Sequence, residues 1–169
     1  MKIIGVCGAK RAGKDTFYQL LLEEGHDVRR MAFADAIKED LAGLPGLVGA
    51  SKEQARELYQ VYGCLARDMH GDRYWINRLE NELHDEDYDR LTRTTIVITD
   101  VRFTNEAQWI KDHGGSIVIV ERGSTNDDQH RSEQEWRAIE GEYRIFNNGE
   151  REAYRSKVKQ VWRDINGRR

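Results

Sequence analysis

An α/β fold with a mostly parallel central sheet of about five strands, flanked by helices, is predicted by three observations. Residues 2–7, 95–99 and 116–120 are continuous apolar runs, the pattern of strands buried on both faces. Stretches with helical spacing separate these runs, as in a fold that alternates strand and helix. A glycine-rich turn stands between the first run and the first helical stretch. Residues 28–33 and 143–146 are two weaker strand candidates.

The first run, Ile3-Ile4-Gly5-Val6-Cys7, leads into Gly8-Ala9-Lys10-Arg11-Ala12-Gly13-Lys14-Asp15-Thr16. Phe17, Leu20 and Leu21 follow at helical spacing. Gly8 and Gly13 let the backbone curl so that successive N–H groups point into one concavity. The helix start behind them adds unpaired donors and the positive end of its dipole. This is the context of a phosphate-binding loop, and Lys14 stands where it reaches the outer phosphates of a nucleoside triphosphate. Asp15 occupies the position where Ser or Thr ordinarily follows the lysine, and Thr16 restores a hydroxyl one residue later. A carboxylate is a suitable hard ligand, so Asp15 and Thr16 are the candidate Mg²⁺ residues. The alternative is a chance glycine turn; the complete strand–turn–helix context favours the loop.

Gly25 ends the first helix. A short strand through Phe33 is then expected, with Asp35 as N-cap of the next helix. Phe33, Asp35 and Lys38 would thus lie near the C-terminal edge of the sheet, where ligands bind in open α/β folds. Cap and core are the plain alternatives for Asp35 and Phe33. Ser51 is expected to cap a long helix through Met69, with Ala55, Leu58, Val61, Tyr62 and Leu65 at helical spacing. Gly63 inside it is unfavourable by about 1 kcal/mol relative to Ala, which suggests a break or close approach of a ligand. Arg67 follows one turn later, and Arg73, Tyr74 and Trp75 come next. A guanidinium fork can grip a phosphate and an indole can stack on a base; a solvated arginine and a core tryptophan are the alternatives. Residues 75–87 read as another amphipathic helix on Ile76, Leu79 and Leu83, with Asp85-Glu86-Asp87 as a solvated end.

The second long apolar run ends in Asp100-Val101-Arg102-Phe103-Thr104-Asn105-Glu106. Asp100 would hold metal-bound water or orient an attacking oxygen, and Arg102 would neutralise charge on phosphoryl groups. Thr104 or Asn105 is the expected cap of the next helix, and Glu106 fixes an arginine or contacts a sugar. Gly114-Gly115 ends that helix. Residues 122–135 are polar and read equally as a lid or as plain surface, with Arg122 and Arg131 as the lid-arginine candidates; His130 is more readily a structural residue than a base. The last helix, from Glu150, carries Tyr154, Val158, Val161, Trp162 and Ile165 on one stripe, which is core packing.

At 169 residues and net charge -3 the chain is expected to be one domain, with no basic excess to suit nucleic acid. Cys7 and Cys64 are the two cysteines, too few for a disulfide framework and suited to a reducing cytosol. No apolar run suits a membrane span, and the start runs directly into a strand with no signal-peptide pattern.

Taken together, Gly8-x₄-Gly13-Lys14-Asp15-Thr16, Phe33-Ala34-Asp35-x₂-Lys38, Gly63-x₃-Arg67, Tyr74-Trp75-Ile76, Asp100-Val101-Arg102-Phe103-x-Asn105-Glu106 and His130-x-Ser132-Glu133 resemble the deoxynucleoside monophosphate kinases of bacteriophages. The resemblance covers most of the chain; Gly-Lys-Asp-Thr and Asp-x-Arg-Phe-x-Asn-Glu are its most specific parts. It implies a P-loop kinase fold over 1–169, with an acceptor-binding helical region at about 34–90 and a lid at about 122–135. It implies transfer of the γ-phosphate of ATP, with Mg²⁺, to a deoxynucleoside monophosphate in the cytoplasm of an infected host cell, by a chain that could form a homodimer. Gly8, Lys10, Arg11, Ala12, Gly13, Lys14, Asp15 and Thr16 would form the ATP site. Phe33, Asp35, Lys38, Gly63, Cys64, Arg67, Trp75, Asp100, Arg102 and Glu106 would surround the acceptor, with Lys14, Arg67, Asp100 and Arg102 catalytic. Cys64 departs from the Thr that the family often places there, which removes a hydroxyl contact. A kinase of a sugar or another phosphorylated metabolite and an ATP-binding regulatory module are the competing readings.

Overall fold

The computed structural model describes residues 2–45, 47, 51–84, 93–123 and 134–167. Along the chain the elements are β1 (Lys2–Cys7), α1 (Lys14–Glu23), β2 (Val28–Met31), α2 (Phe33–Leu41), α3 (Lys52–His70) and α4 (Tyr74–His84). They continue as β3 (Thr95–Val101), α5 (Thr104–Asp112), β4 (Ser116–Glu121), a 3₁₀ turn at Trp136–Ala138, β5 (Tyr143–Phe146) and α6 (Arg151–Gly167). They form two compact units, one of Met1–Met31 with Tyr88–Arg169, the other of Ala32–Asp87.

The first unit holds a five-stranded sheet ordered β2-β3-β1-β4-β5, with every pairing parallel. The three continuous apolar runs are its central strands, as burial on both faces requires. Ile4, Val6, Val97, Val118, Val120 and Ile145 present one face to Phe17, Leu20 and Leu21 of α1 and to Tyr154, Val158 and Ile165 of α6. Gly5 lies between Ile4 and Val6 and faces the other way. A Cβ there would stand 2.6 Å from Cδ1 of Ile110, so the missing side chain lets α5 lie close on the opposite face. Outside the core, Arg155 and Arg151 pair with Glu23, and Arg155 and Lys159 with Glu24, tying α6 to the end of α1. The hydrogen bond from Arg151, then that from Arg155, holds the Glu23 carboxyl below its usual range.

The parallel pairing of β1 with β3 contains one irregularity. Gly5 is opposite Ile98, but Cys7 is opposite Val101. Val6 therefore faces two residues, Thr99 and Asp100, in a β-bulge that re-aims the end of β3. Because Cys7 and Val101 are level, Gly8 and Arg102 leave neighbouring strands side by side.

Two boundaries differ from the sequence reading. β2 stops at Met31, and Phe33 opens α2 instead of ending the strand. Asp35 is accordingly not the N-cap. Ala32 holds that position in extended conformation, and Asp35 lies in the first turn, where its charge suits the helix dipole. α4 ends at His84, and Asp85-Glu86-Asp87 lie outside the described residues.

The second unit is helical. Ser51 is the cap the sequence predicts: it accepts from the Gln54 N–H, and the Gln54 side chain in turn accepts from the Ser51 N–H, a reciprocity the sequence reading did not name. Gly63 does not break α3. A Cβ at Gly63 would come within 2.9 Å of Ile37 Cδ1, so its absence serves close packing of α2 on α3. Trp75 is 1 % exposed, and its indole N–H donates to the Gly63 carbonyl at 2.9 Å. Asp40 joins the three helices, accepting from Tyr62 Oη at 3.2 Å and from Arg78 at 2.9 Å. Not all of the apolar stripe expected on α3 is covered: Val61 and Leu65 are exposed, while Ala66, outside that stripe, is buried.

Trp75→Phe removes a buried hydrogen bond and leaves a small void. It should lower unfolding free energy by about 1–3 kcal/mol in urea titration, with the helical signal retained.

Candidate functional site

A loop that turns its N–H groups toward a ligand must turn carbonyls away from it, and those carbonyls need donors. In the turn after β1, Gly8 has φ +142° and Gly13 φ +110°, both in a region that L side chains rarely adopt. A Cβ on Gly8 would lie 2.1 Å from the Val120 carbonyl oxygen, a backbone atom that cannot give way. Arg11 takes φ +62° without being glycine, a local strain of the kind that gathers at binding loops.

Four of the loop carbonyls have donors. Lys14 Nζ donates to the oxygens of Gly8 and Ala9, each at 2.7 Å. The Asn147 side-chain amide donates to Ala12 O at 2.8 Å. Tyr154 Oη donates to Gly13 O at 3.0 Å, and the Phe17 N–H to the same oxygen at 2.9 Å. Burial pushes the Tyr154 hydroxyl far up, which keeps it a donor at every physiological pH. Asn148 extends the support, its side-chain oxygen accepting from the Gly123 N–H at 2.7 Å. Sequence reading assigned Tyr154 to core packing and did not count Asn147 or Asn148 among the site residues. An Asn-Asn-Gly step between the last strand and the last helix was the available signal; Tyr154 carried none.

Asp15 and Thr16 lie in the first turn of α1. The Asp15 carboxylate is 78 % exposed and 3.6 Å from Nε of Arg30, a residue of β2. Lys10 is half-buried, Arg11 is exposed and Ala12 is buried against the core.

Beside this loop stands the turn after β3. Glu106 is 2 % exposed, and one carboxylate oxygen accepts from the N–H groups of Arg102 at 2.9 Å and Phe103 at 3.2 Å. Neither Thr104 nor Asn105 caps α5. Phe103 holds the N-cap position, and Glu106 reaches back to supply the acceptor. Glu106 thus shapes the backbone that carries Asp100 and Arg102. Asp100 is half-buried, and the Thr99 hydroxyl before it is buried with no hydrogen-bond partner among the described residues. Burial pushes the Cys7 thiol up to about 12, against the opposing pull of Lys14 and Arg102. Cys7 is a core residue that donates weakly to Trp136 O at 3.8 Å.

The remaining candidates belong to the helical unit. Phe33 is buried, and Asp35 and Lys38 pair at 2.6 Å. Arg67 is 4 % exposed and donates to the Asp72 carbonyl at 2.9 Å, bracing the turn from α3 to α4. Trp75 is no open stacking plate: Tyr62 and Tyr74 pack on its ring. Cys64 is half-buried and forms no disulfide. Arg122 is exposed, and residues 124–133 of the expected lid, with His130 and Arg131, lie outside the described residues. No described helix is long and apolar enough to cross a membrane.

Comparisons with known proteins converge on one family. The family model for deoxynucleotide monophosphate kinase matches residues 47–158, more than half of the chain. A curated protein of Acanthamoeba polyphaga mimivirus named "Putative deoxynucleotide monophosphate kinase" is 27 % identical, over 94 % of each chain. Among solved structures, the shikimate kinase of Aquifex aeolicus superposes with TM-score 0.52 at 14 % identity, over 99 % of this chain and 97 % of its own. The dephospho-CoA kinase of Campylobacter jejuni does so with TM-score 0.55 at 11 % identity, over 97 % of each. At those identities the likeness is one of fold, that of P-loop kinases. The chain belongs to the deoxynucleotide monophosphate kinase family.

Asn147→Ala would leave the buried Ala12 carbonyl without its donor. It should cost about 1–3 kcal/mol in stability and weaken nucleotide binding about fivefold, read by urea unfolding and titration with a fluorescent ATP analogue.

Proposed function

From that family membership we propose that the chain transfers the γ-phosphate of ATP to a deoxynucleoside monophosphate, giving ADP and the deoxynucleoside diphosphate. The observation that carries the reading is the level exit of two loops from β1 and β3: a phosphate-cradling turn with Lys14, and the Asp100–Arg102 turn beside it. Two phosphate-directed groups on adjacent strands suit transfer between phosphates better than binding of one nucleotide.

In this mechanism the loop N–H groups and Lys14 hold the β- and γ-phosphates of ATP. An oxygen of the acceptor phosphate attacks the γ-phosphorus in line, and the bond to the β–γ bridging oxygen breaks. The acceptor phosphate is already anionic, so positioning and charge stabilisation replace base catalysis. Arg102 neutralises charge spreading over the transferred group, and Glu106 fixes the turn from which Arg102 extends. Arg67, Lys38 and the helical unit around Phe33, Asp35, Gly63 and Cys64 hold the acceptor; Trp75 acts there as a core support. Arg122, exposed at the start of the expected lid, is the proposed lid arginine.

The donor set at the loop suits a small hard cation. Asp15 is an exposed carboxylate, Thr16 supplies a hydroxyl, and Asp100 lies near the end of β3 beside β1. Mg²⁺ binds through few carboxylates together with substrate phosphates and water, which matches these oxygens. When bound there it neutralises the charge of the β- and γ-phosphates. ATP and Mg²⁺ are thus the proposed cosubstrate and metal, and the cytoplasm of an infected cell the proposed setting.

Lys14→Ala should cut turnover by about 10²-fold or more with the unfolding transition retained, since it removes a charge that acts on the transferred group. Coupled ADP release across deoxy- and ribonucleoside monophosphates and small alcohols measures it. Release that requires a nucleotide supports the reading; release with a sugar instead would move the chain to the alternative kinase class, and ATP binding with no acceptor-dependent release would make it a regulatory module. Arg102→Ala should lower kcat by about 10²-fold while ATP affinity changes about twofold or less. An unchanged kcat would remove Arg102 from the mechanism.

A further inference from the structure

We infer that Arg30 is a positioning residue that serves as the built-in counter-charge of Asp15, so that the loop accepts a triphosphate before a divalent cation arrives. The inference rests on reading the loop as the ATP site and adds a residue that neither the loop motif nor the turn after β3 contains.

Asp15 poses an electrostatic problem. It follows Lys14 directly, in the first turn of α1, and its carboxylate is 78 % exposed at the loop. A hydroxyl in that position is neutral; a carboxylate repels the phosphates that the loop amides attract. The helix dipole stabilises Asp15 at a helix start, but it does not remove that repulsion.

β2 supplies the compensation. Val28 and Arg30 are two residues apart, so they project to the same face of the sheet. Val28 packs in the core with Phe17, Leu20 and Leu21 of α1, so Arg30 projects to the side on which α1 lies. Its Nε stands 3.6 Å from Oδ1 of Asp15. A guanidinium stays protonated at any working pH, so this counter-charge is permanent. The pair is also exchangeable. Arg30 is 33 % exposed, and exposed ion pairs are weak enough for a divalent cation to displace. Arg30 and the metal would then alternate as partners of one carboxylate: the guanidinium in the metal-free loop, the cation in the loaded site.

The geometry suggests a thermodynamic cycle on nucleotide binding rather than on turnover. Equilibrium titration with a fluorescent ATP analogue, in EDTA and in saturating Mg²⁺, would be run on wild type, Arg30→Met, Arg30→Lys, Asp15→Asn and the double variant Asp15→Asn/Arg30→Met. Arg30→Met should weaken metal-free binding about fivefold and binding with Mg²⁺ by less than about twofold. Arg30→Lys should restore most of the metal-free loss, because the charge returns without the fork. In the Asp15→Asn background, Arg30→Met should have no further effect. An equal loss with and without Mg²⁺, or an undiminished loss in the Asp15→Asn background, would show that Arg30 touches the nucleotide itself and overturn the inference. So would unchanged metal-free binding of Arg30→Met. A wild-type protein that binds the analogue in neither condition would instead overturn the reading of the loop as an ATP site.

Discussion

The site depends on one constraint: a backbone that offers its amides to an anion must find donors for the carbonyls it turns away. Gly8, Ala9, Ala12 and Gly13 pose that demand, and Lys14, Asn147 and Tyr154 meet it with the helical N–H of Phe17. An unpaired buried carbonyl costs about 1–3 kcal/mol, so an unsupported loop would relax and lose its concavity. Two of those donors come from the last strand–helix connection and from α6. The C-terminal helix is therefore part of the loop's structure, and the ion pairs from Arg151, Arg155 and Lys159 to Glu23 and Glu24 hold it against α1. Those pairs are exposed and individually weak. What fixes α6 is the buried stripe of Tyr154, Val158 and Ile165, which places Tyr154 within reach of Gly13.

The same demand explains which parts were legible from the residues alone. Continuous apolar runs identify central parallel strands because burial on both faces leaves no polar alternation. The loop is legible because two glycines and a lysine stand at fixed spacing between an apolar strand and a helix start. Glu106 was visible as a residue of interest, but not as the cap of its own turn. Asn147 and Tyr154 lie 135 and 141 residues from the carbonyls they bind, and no local pattern encodes a contact across that distance. The boundary errors have a local cause. Phe33 suits a strand by composition, yet α2 begins there because extended Ala32 takes the cap position. Trp75 shows the limit of spacing: a buried indole and an open one occupy the same helical position, and only the Gly63 carbonyl and the flanking tyrosines decide between them.

Gly63 also shows how a residue that is locally unfavourable can stabilise a fold. In an isolated helix it costs about 1 kcal/mol against Ala. In the helical unit it lets Ile37 approach and leaves a carbonyl for the Trp75 indole. Phe33, Asp35, Lys38, Cys64 and Arg67, expected to meet the acceptor, are built on this scaffold, and Arg67 itself uses one guanidinium N–H to brace the turn into α4. A side chain that is 4 % exposed and held by a backbone carbonyl has little rotamer freedom left to lose on binding a phosphate.

A charged group near a reacting centre need not act on the substrate to matter. Glu106 directs its carboxylate at two backbone amides, and the β-bulge at Thr99 and Asp100 re-aims the strand end before it. Together they set the direction in which Arg102 leaves the chain. In the proposed transfer, a turn free to relax would leave the guanidinium to be ordered as the reaction proceeds, and part of its stabilisation would be lost to that ordering. Fixing the backbone beforehand removes the cost. For the same reason the donors to the loop carbonyls and the carboxylate of Glu106 do equivalent work from opposite ends of the hydrogen bond: each satisfies a backbone group, so that the groups proposed to face the phosphates are already in place.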